Sequence, residues 1–237
     1  MNKKSYFHIA IDGPVAAGKG TISKLVAHRL NFLYVDTGAM YRVAAYLAYL
    51  NQIDYADEQR IVDLIKNSRM IIRTPNENEQ DGRLITVFLN DKDISWKIRT
   101  EEISQGASKV STLPEVRKVL VKKQKEIAQN QNVIMEGRDI TYRVLPEANL
   151  KIFLTADAQE RAKRRLLQSQ LKGFNANLST VLNEIKQRDT RDMGRSTDPL
   201  KIVPEAWVLD TTKLTIKQVV DKIVEKVEKM KNKSTND

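Results

Sequence analysis

With 237 residues, 41% of them hydrophobic and 30% charged, the chain can bury a substantial core and has the balance of an ordinary soluble globular protein. It contains no cysteine, which excludes disulfides and cysteine-ligated zinc and suits a reducing cytoplasm. Its apolar runs are too short for a membrane span, no basic-then-apolar leader precedes Tyr6, and the net charge of +10 raises the question of an anionic partner.

The basic residues fall in clusters, 161–165 and 188–195, or in a polar tail with Lys229, Lys231 and Lys233. Aromatics amount to only 6% and do not interleave with them. A small polyanion therefore fits better than nucleic acid.

Residues 1–5 form a polar lead-in. Residues 6–11, interrupted only by His8, suit a buried parallel strand. A helical pattern starts with Ile22, Leu25, Val26 and Leu30. Between them lies Gly13-Pro14-Val15-Ala16-Ala17-Gly18-Lys19, the G-x-x-x-x-G-K spacing of a phosphate-binding loop. Gly13 and Gly18 let the backbone turn tightly so that successive N–H groups face one concavity. The following helix adds its free N–H groups and positive dipole end, and Lys19 a point charge. The usual hydroxyl after the lysine is replaced by Gly20, with Thr21 one position later. The metal-binding hydroxyl of the general motif is therefore not at its usual place.

Residues 32–35 form a second short strand that runs into Asp36-Thr37-Gly38-Ala39-Met40-Tyr41-Arg42. A helix begins near Gly38 and continues to about Leu50. The carboxyl edge of an open α/β sheet is where ligands bind. From 53 to 131 the character changes. Ile61, Val62, Leu64 and Ile65 predict a short helix, and 70–73 and 84–89 predict strands joined by the polar loop 76–82. Two helices follow, the second after Pro114 with Val116, Val119, Leu120 and Ile127 on one face. Strands followed by helices, without alternation, argue for an inserted subdomain.

Alternation then resumes, with strands at 132–136 and 150–154 and a helix at 157–171. Gly137-Arg138-Asp139 follows the first of these strands. After a polar, arginine-bearing stretch comes a last strand, 207–210. Thr215 with Gln218 forms a capping-box pattern, opening an amphipathic helix through Val227. About five strands interleaved with helices make a doubly wound parallel α/β core.

Phosphoryl transfer between two nucleotides requires holding two polyanions together and excluding water. Arginine suits this, since its planar fork grips phosphate and keeps its charge. Arg42, Arg138, Arg188, Arg191 and Arg195 fall past strand ends or in the polar stretch. Arg188 and Arg195, seven residues apart, can face one side of a helix. No catalytic triad or histidine cluster competes. His8 and His28 are expected as a strand residue and a helix-surface residue.

Eight segments, in order, carry a resemblance: 11–21, 36–42, 106–111, 114–117, Glu136-Gly137-Arg138-Asp139, 151–155, 160–165 and 187–195. Together they resemble the bacterial cytidylate kinases over nearly the whole chain, and the G-K-G-T form resembles that of adenylate kinase-like nucleoside monophosphate kinases. The resemblance implies a P-loop NTPase-like three-layer αβα fold in one domain. Its core is 1–52, 132–171 and 196–231, with a CMP-binding insert at 53–131 and a lid at 172–195. It implies ATP and CMP or dCMP as substrates, Mg²⁺ held largely by phosphates and water, and a cytoplasmic monomer. Gly13 to Thr21 would hold the ATP phosphates, and Arg42, Arg138 and Arg195 the acceptor phosphate and developing charge. Ser108, Arg117 and Asp139 would face cytosine, with Arg188 and Asp192 at the sugar. Thr37, Tyr41 and Gly137 complete the acceptor site, and Lys19, Arg138, Arg188 and Arg195 are the candidate catalytic residues.

Pattern alone makes Ser108 a helix-surface serine and Arg117 part of a solvated helix face. The chain also departs from the family pattern. Thr141-Tyr142 stands for Gly-Thr, Arg143 for an apolar residue, and Asp91 for a turn glycine after Asn90. Two other readings remain open: a P-loop kinase with another small acceptor such as UMP or shikimate, and a non-catalytic nucleotide- or RNA-binding protein.

Overall fold

A computed structural model describes residues 6–79, 81–171 and 176–233. Its centre is a five-stranded parallel sheet. The strands are β1 (His8–Asp12), β2 (Leu33–Asp36), β6 (Val133–Gly137), β7 (Leu150–Thr155) and β8 (Trp207–Asp210), in the order β2-β6-β1-β7-β8. The helices of this unit are α1 (Lys19–Leu30), α2 (Thr37–Leu50), α6 (Ala158–Gln170), α7 (Leu178–Gly194) and α8 (Ile216–Lys233). Between β2 and β6 lie α3 (Glu58–Lys66), α4 (Glu101–Val110), α5 (Pro114–Ala128), and a second, antiparallel sheet of β3 (Met70–Arg73), β4 (Thr86–Leu89) and β5 (Lys92–Asp93).

The alternation of side chains along β1 builds the layers. Ile9 and Ile11 enter an apolar cluster with Val26 of α1 and Val219, Val220 and Ile223 of α8. Ala10 points the other way, to Val121 and Ala128 of α5. Each face is thus covered by helices, as a parallel sheet requires. The first cluster continues without a break into Ile61, Ile85, Val87, Ile98 and Val116. The second sheet and its helices therefore share one core with the main sheet.

Local details follow their sequence signals. Thr215 and Gln218 exchange the two capping-box bonds, Thr215 N–H to Gln218 Oε1 at 2.9 Å and Gln218 N–H to Thr215 Oγ1 at 3.2 Å. Asn90 and Asp91 both adopt positive φ, 49° and 65°, as a two-residue hairpin demands, and Asn and Asp tolerate it. Asp91 also pairs with Arg69 at 3.1 Å. The polar stretch before β8 is not open chain: 178–194 is the helix α7. Its side-chain pattern was obscured because only Val181 and Ile185 of its apolar residues are buried. Residues 172–175 of the expected lid lie outside the described residues.

β1 occupies the centre because its neighbours can approach on both sides. At its end, a Cβ on Gly13 would stand 2.0 Å from the Leu154 carbonyl oxygen of β7. Since the obstacle is backbone, repacking cannot relieve it. Gly13→Ala is expected to destabilise the protein by roughly 3 kcal/mol, the upper end of overpacking costs, measured by urea unfolding. A loss under about 0.5 kcal/mol would show that β7 is not fixed against the loop.

Candidate functional site

The loop 13–18 connects β1 directly to α1 at the carboxyl edge of the sheet. Strand order reverses beside β1, with β6 on one side and β7 on the other, which is where open α/β sheets leave a crevice. Gly18, the residue before α1, is left-handed at φ 92°, and no side chain caps the helix. The first turn of α1 holds no acidic residue, so its N–H groups and dipole are free for an external anion. Val15 and Ala16 pack against Ala162, Val181 and Ile185, and Pro14 and Ala17 are buried.

Lys19 folds back onto this loop. Its Nζ donates to Gly13 O and Pro14 O, both at 2.9 Å. Burial, reinforced by the charge of Arg138, lowers its pKa to about 7, despite Glu136, Asp192 and Asp12 nearby. Asp12 is fully buried and accepts from Ile140 N–H, Thr141 N–H and the Thr141 hydroxyl. Burial raises its pKa to about 6, with the Thr141 and Ile140 bonds opposing. The Thr141 departure thus supplies a donor to the end of β1. Gly20 is crowded: a Cβ there would lie 3.2 Å from both Glu136 Oε1 and Tyr34 Oη. Thr21 follows it in α1, half-buried.

Across the crevice stands a rim of arginines. Arg138, just past β6, donates to Asp192 of α7 at 2.7 Å. Arg188, one turn earlier on α7, has a buried Nε with no partner. Burial and the neighbouring charge of Arg138 lower its pKa to about 10; Arg42 and Arg165 add to this, and Asp192 opposes it. Asp36 caps α2 through Ala39 N–H and lies 3.7 Å from both Arg42 and Arg99. Several cations thus face one another with too few carboxylates between them.

A second group adjoins this rim. Arg117 is only 1% exposed, which corrects the expectation of a solvated helix face. It reaches inward across α5 to Asp139, to Asp198 at 2.9 Å and to Ser111 O at 3.1 Å. Its guanidinium lies 5.5 Å from the ring centre of Tyr41, whose hydroxyl is buried without a partner. Arg195 donates to Asp198 O at 2.7 Å and lies 3.8 Å from Asp139. Burial raises the Asp139 pKa, opposed by Arg117 and Arg195. Thr37 donates to Glu136 O at 2.7 Å beside Gly137. Ser108, half-buried on α4, accepts from Arg191 of α7 at 2.9 Å.

One expectation about α7 needs correcting. The helix ends at Gly194, and Arg195 is extended with φ −66° and ψ 144°. Arg188 and Arg195 therefore do not share a helical face; they reach the site from a helix and from the chain beyond it. His8 and His28 lie, as expected, in β1 and on the exposed side of α1.

Four contributors had not been singled out. Asp12 ends β1 and Glu136 is the last residue but one of the adjacent β6, and that position was their signal. Arg99 ends a single 3-10 turn, Lys97–Arg99, and Asp198 sits in an irregular segment, neither long enough in pattern to mark them. A further one, Arg161, was noted only as part of a basic cluster. It donates to Ala156 O at 2.9 Å and Val15 O at 3.1 Å and pairs with Asp189 at 2.7 Å, tying the loop to α7.

Comparison with known proteins agrees with this layout. The family model described as cytidylate kinase matches residues 9–229. A cytidylate kinase from Lactobacillus gasseri is 45% identical, covering 97% of this chain and 98% of that protein. Those of Caldicellulosiruptor bescii and Bacillus subtilis are 47% and 42% identical, covering 92% and 96% of this chain and 94% and 98% of theirs. Among solved structures, an uncharacterised protein from Eubacterium ventriosum shares the fold at TM-score 0.52 and 12% identity, over 94% of this chain and 98% of that one. From its sequence over nearly its whole length, this chain belongs to the cytidylate kinase family.

Proposed function

We propose that the protein transfers the γ-phosphoryl group of ATP to CMP, and to dCMP, giving ADP and CDP or dCDP. The observation that carries this reading is the buried, unpartnered Arg188 Nε among Arg42, Arg138 and Arg165, with the charge of Arg138 also acting on Lys19. Such a group of cations calls for polyanions, and two phosphate chains meeting there would supply them. In this reading ATP lies along Gly13–Thr21, with its phosphates on the loop N–H groups and on Lys19 released from Gly13 O and Pro14 O. A phosphate oxygen of CMP attacks the γ-phosphorus, and the bond to the β–γ bridging oxygen breaks, leaving ADP. The acceptor is already an anion, so no general base is needed. Arg42, Arg138, Arg188 and Arg195 position it and offset charge in the transition state.

Magnesium enters with the nucleotide. Among the described residues no three acidic or histidine side chains cluster to hold an ion, and Gly20 offers no hydroxyl. Glu136, placed against Gly20, fits a carboxylate that holds water of a hydrated ion. When bound, the ion neutralises the β- and γ-phosphates. In this reading, segment 53–131 covers CMP, and 172–195 closes over both phosphate chains. No described helix is long and apolar enough to cross a membrane; a cytoplasmic monomer suits a small-metabolite kinase.

The role of Lys19 is testable by turnover. Its charge gains most as negative charge moves to the bridging oxygen. Lys19→Ala is expected to lower kcat by roughly a hundredfold with the fold retained by circular dichroism. Near-normal turnover would remove the loop from the mechanism.

Binding should also move a proton. Lys19 has a pKa of about 7 in the free protein, against 10.5 for an ordinary lysine. In that window the unfolded chain holds a proton that the folded protein lacks, so this group's contribution to stability rises with pH. A polyphosphate would restore the charge. Calorimetry of a non-hydrolysable ATP analogue at pH 8, in buffers of differing ionisation enthalpy, should show uptake approaching one proton. Lys19→Met should abolish it; an unchanged uptake would place the titration elsewhere.

Base choice would rest on Asp139. Cytosine offers an amino donor where uracil has a carbonyl, and a carboxylate accepts only from the former. CMP is expected to exceed UMP in kcat/KM by at least about a hundredfold, from one or two lost pairings of roughly 1–3 kcal/mol each. Asp139→Ala should collapse that preference. If the variant slows both substrates equally, Asp139 is not the reader of the base.

A further inference from the structure

The side chains of Tyr142 and Arg143 converge on one short segment beyond α7. The Tyr142 hydroxyl donates to Pro199 O at 2.6 Å. Lys201 lies over the Tyr142 ring at 4.2 Å. Arg143 Nε lies 3.5 Å from Asp198 Oδ1. Asp198 itself has φ of 46°, a left-handed conformation that a non-glycine residue keeps only when its surroundings hold it there.

Asp198 faces in two directions. Its Oδ2 accepts from Arg117 Nε at 2.9 Å, and its carbonyl accepts from Arg195 at 2.7 Å. Arg117 has five N–H donors. Nε goes to Asp198, one donor of Nη1 to Ser111 O and one of Nη2 to Asp139. Fixing Nε sets the plane of the guanidinium, so the remaining N–H groups keep one direction beside Asp139. Charge argues the same way. Arg117 and Arg195 are largely buried, with side chains 2% and 7% exposed. Without Asp198 they would share Asp139 alone, and two buried guanidinium groups on one carboxylate repel each other.

We infer that Asp198 is a positioning residue for the acceptor, fixing Arg117 and Arg195, and that Tyr142 and Arg143 are the clamp that holds it. This rests on the reading of Arg117 and Asp139 as the acceptor base site. The clamp stands outside the donor loop, and the Asp198 side chain bonds Arg117, so its effect falls on acceptor affinity. Arg195 is held by the Asp198 backbone carbonyl, a bond that side-chain substitution leaves in place, so ATP affinity and the chemical step stay nearly unchanged.

The test is steady-state kinetics with CMP and UMP at saturating ATP, and with ATP at saturating CMP. Asp198→Ala and Asp198→Asn are expected to raise the KM for CMP about tenfold, the scale of one charged hydrogen bond. They should narrow the CMP-to-UMP ratio while kcat stays within about threefold and the KM for ATP within about twofold. Arg143→Val and Tyr142→Phe leave the buried contacts of Asp198 in place. They should move the KM for CMP the same way by about two- to threefold, and they keep the test open if the Asp198 variants fail to fold. Unchanged KM for CMP in the folded variants overturns the proposal. So does a fall in kcat with a rise in the KM for ATP, which marks general loss of structure. Asp139→Ala separates the two ideas. If it abolishes base preference while the Asp198 variants change nothing, the clamp fails and the CMP reading stands. If it slows CMP and UMP equally while the Asp198 variants still raise the acceptor KM, the base reading fails and the clamp stands.

Discussion

A guanidinium group does not give up its charge when buried, so a fold that gathers several must arrange anions around them. The carboxyl edge of the main sheet is governed by this constraint. Asp192 answers Arg138, Asp36 lies between Arg42 and Arg99, and Asp139 and Asp198 hold Arg117. Arg188 is left with a buried Nε and no partner, and Lys19 turns to backbone carbonyls. Arg99 too keeps a buried Nη2 without a hydrogen-bond partner. Substrate phosphates are the missing counter-charges in this account, and binding and catalysis draw on the same deficit.

The edge is also mechanically connected. Arg161 joins Val15 O of the loop to Asp189 of α7, and α7 carries Arg188, Arg191 and Asp192 toward the second group. Val15 and Ala16 add apolar contact to Ala162 of α6 and to Val181 and Ile185 of α7. A change in the loop therefore has a short path to Arg138 and Ser108. That path runs through side chains with defined partners, which makes each link separately removable.

Much of this was legible in the sequence, for identifiable reasons. Strand and helix periodicity located all five parallel strands to within two residues, four of them because burial on both faces gives near-continuous apolar runs. The loop from Gly13 to Lys19 was legible because its chemistry fixes its spacing. The helix α7 was hidden because it buries few apolar residues, its inner face being largely arginine and aspartate that pair with other elements. Arg117 was misjudged from pattern for the same reason: a charged residue looks solvated until its carboxylates, at positions 139 and 198, are brought to it by the fold. Asp198 and Arg99 carried no signal, since an irregular segment and a single 3-10 turn are too short to show a period.

If the site is an incomplete set of charges that two phosphate chains complete, ligands should stabilise the folded protein strongly and jointly. The direct measurement is thermal unfolding of the full chain alone, with a non-hydrolysable ATP analogue, with CMP, and with both. At ligand concentrations near a hundred times Kd, linkage gives about 2.7 kcal/mol per site, or roughly 5–10 °C for a domain of this size. The account predicts a rise of that order with each nucleotide, a larger one with both, and most of the gain lost in Arg188→Ala. A Tm that neither nucleotide moves, or a gain untouched by removing Arg188, would contradict it.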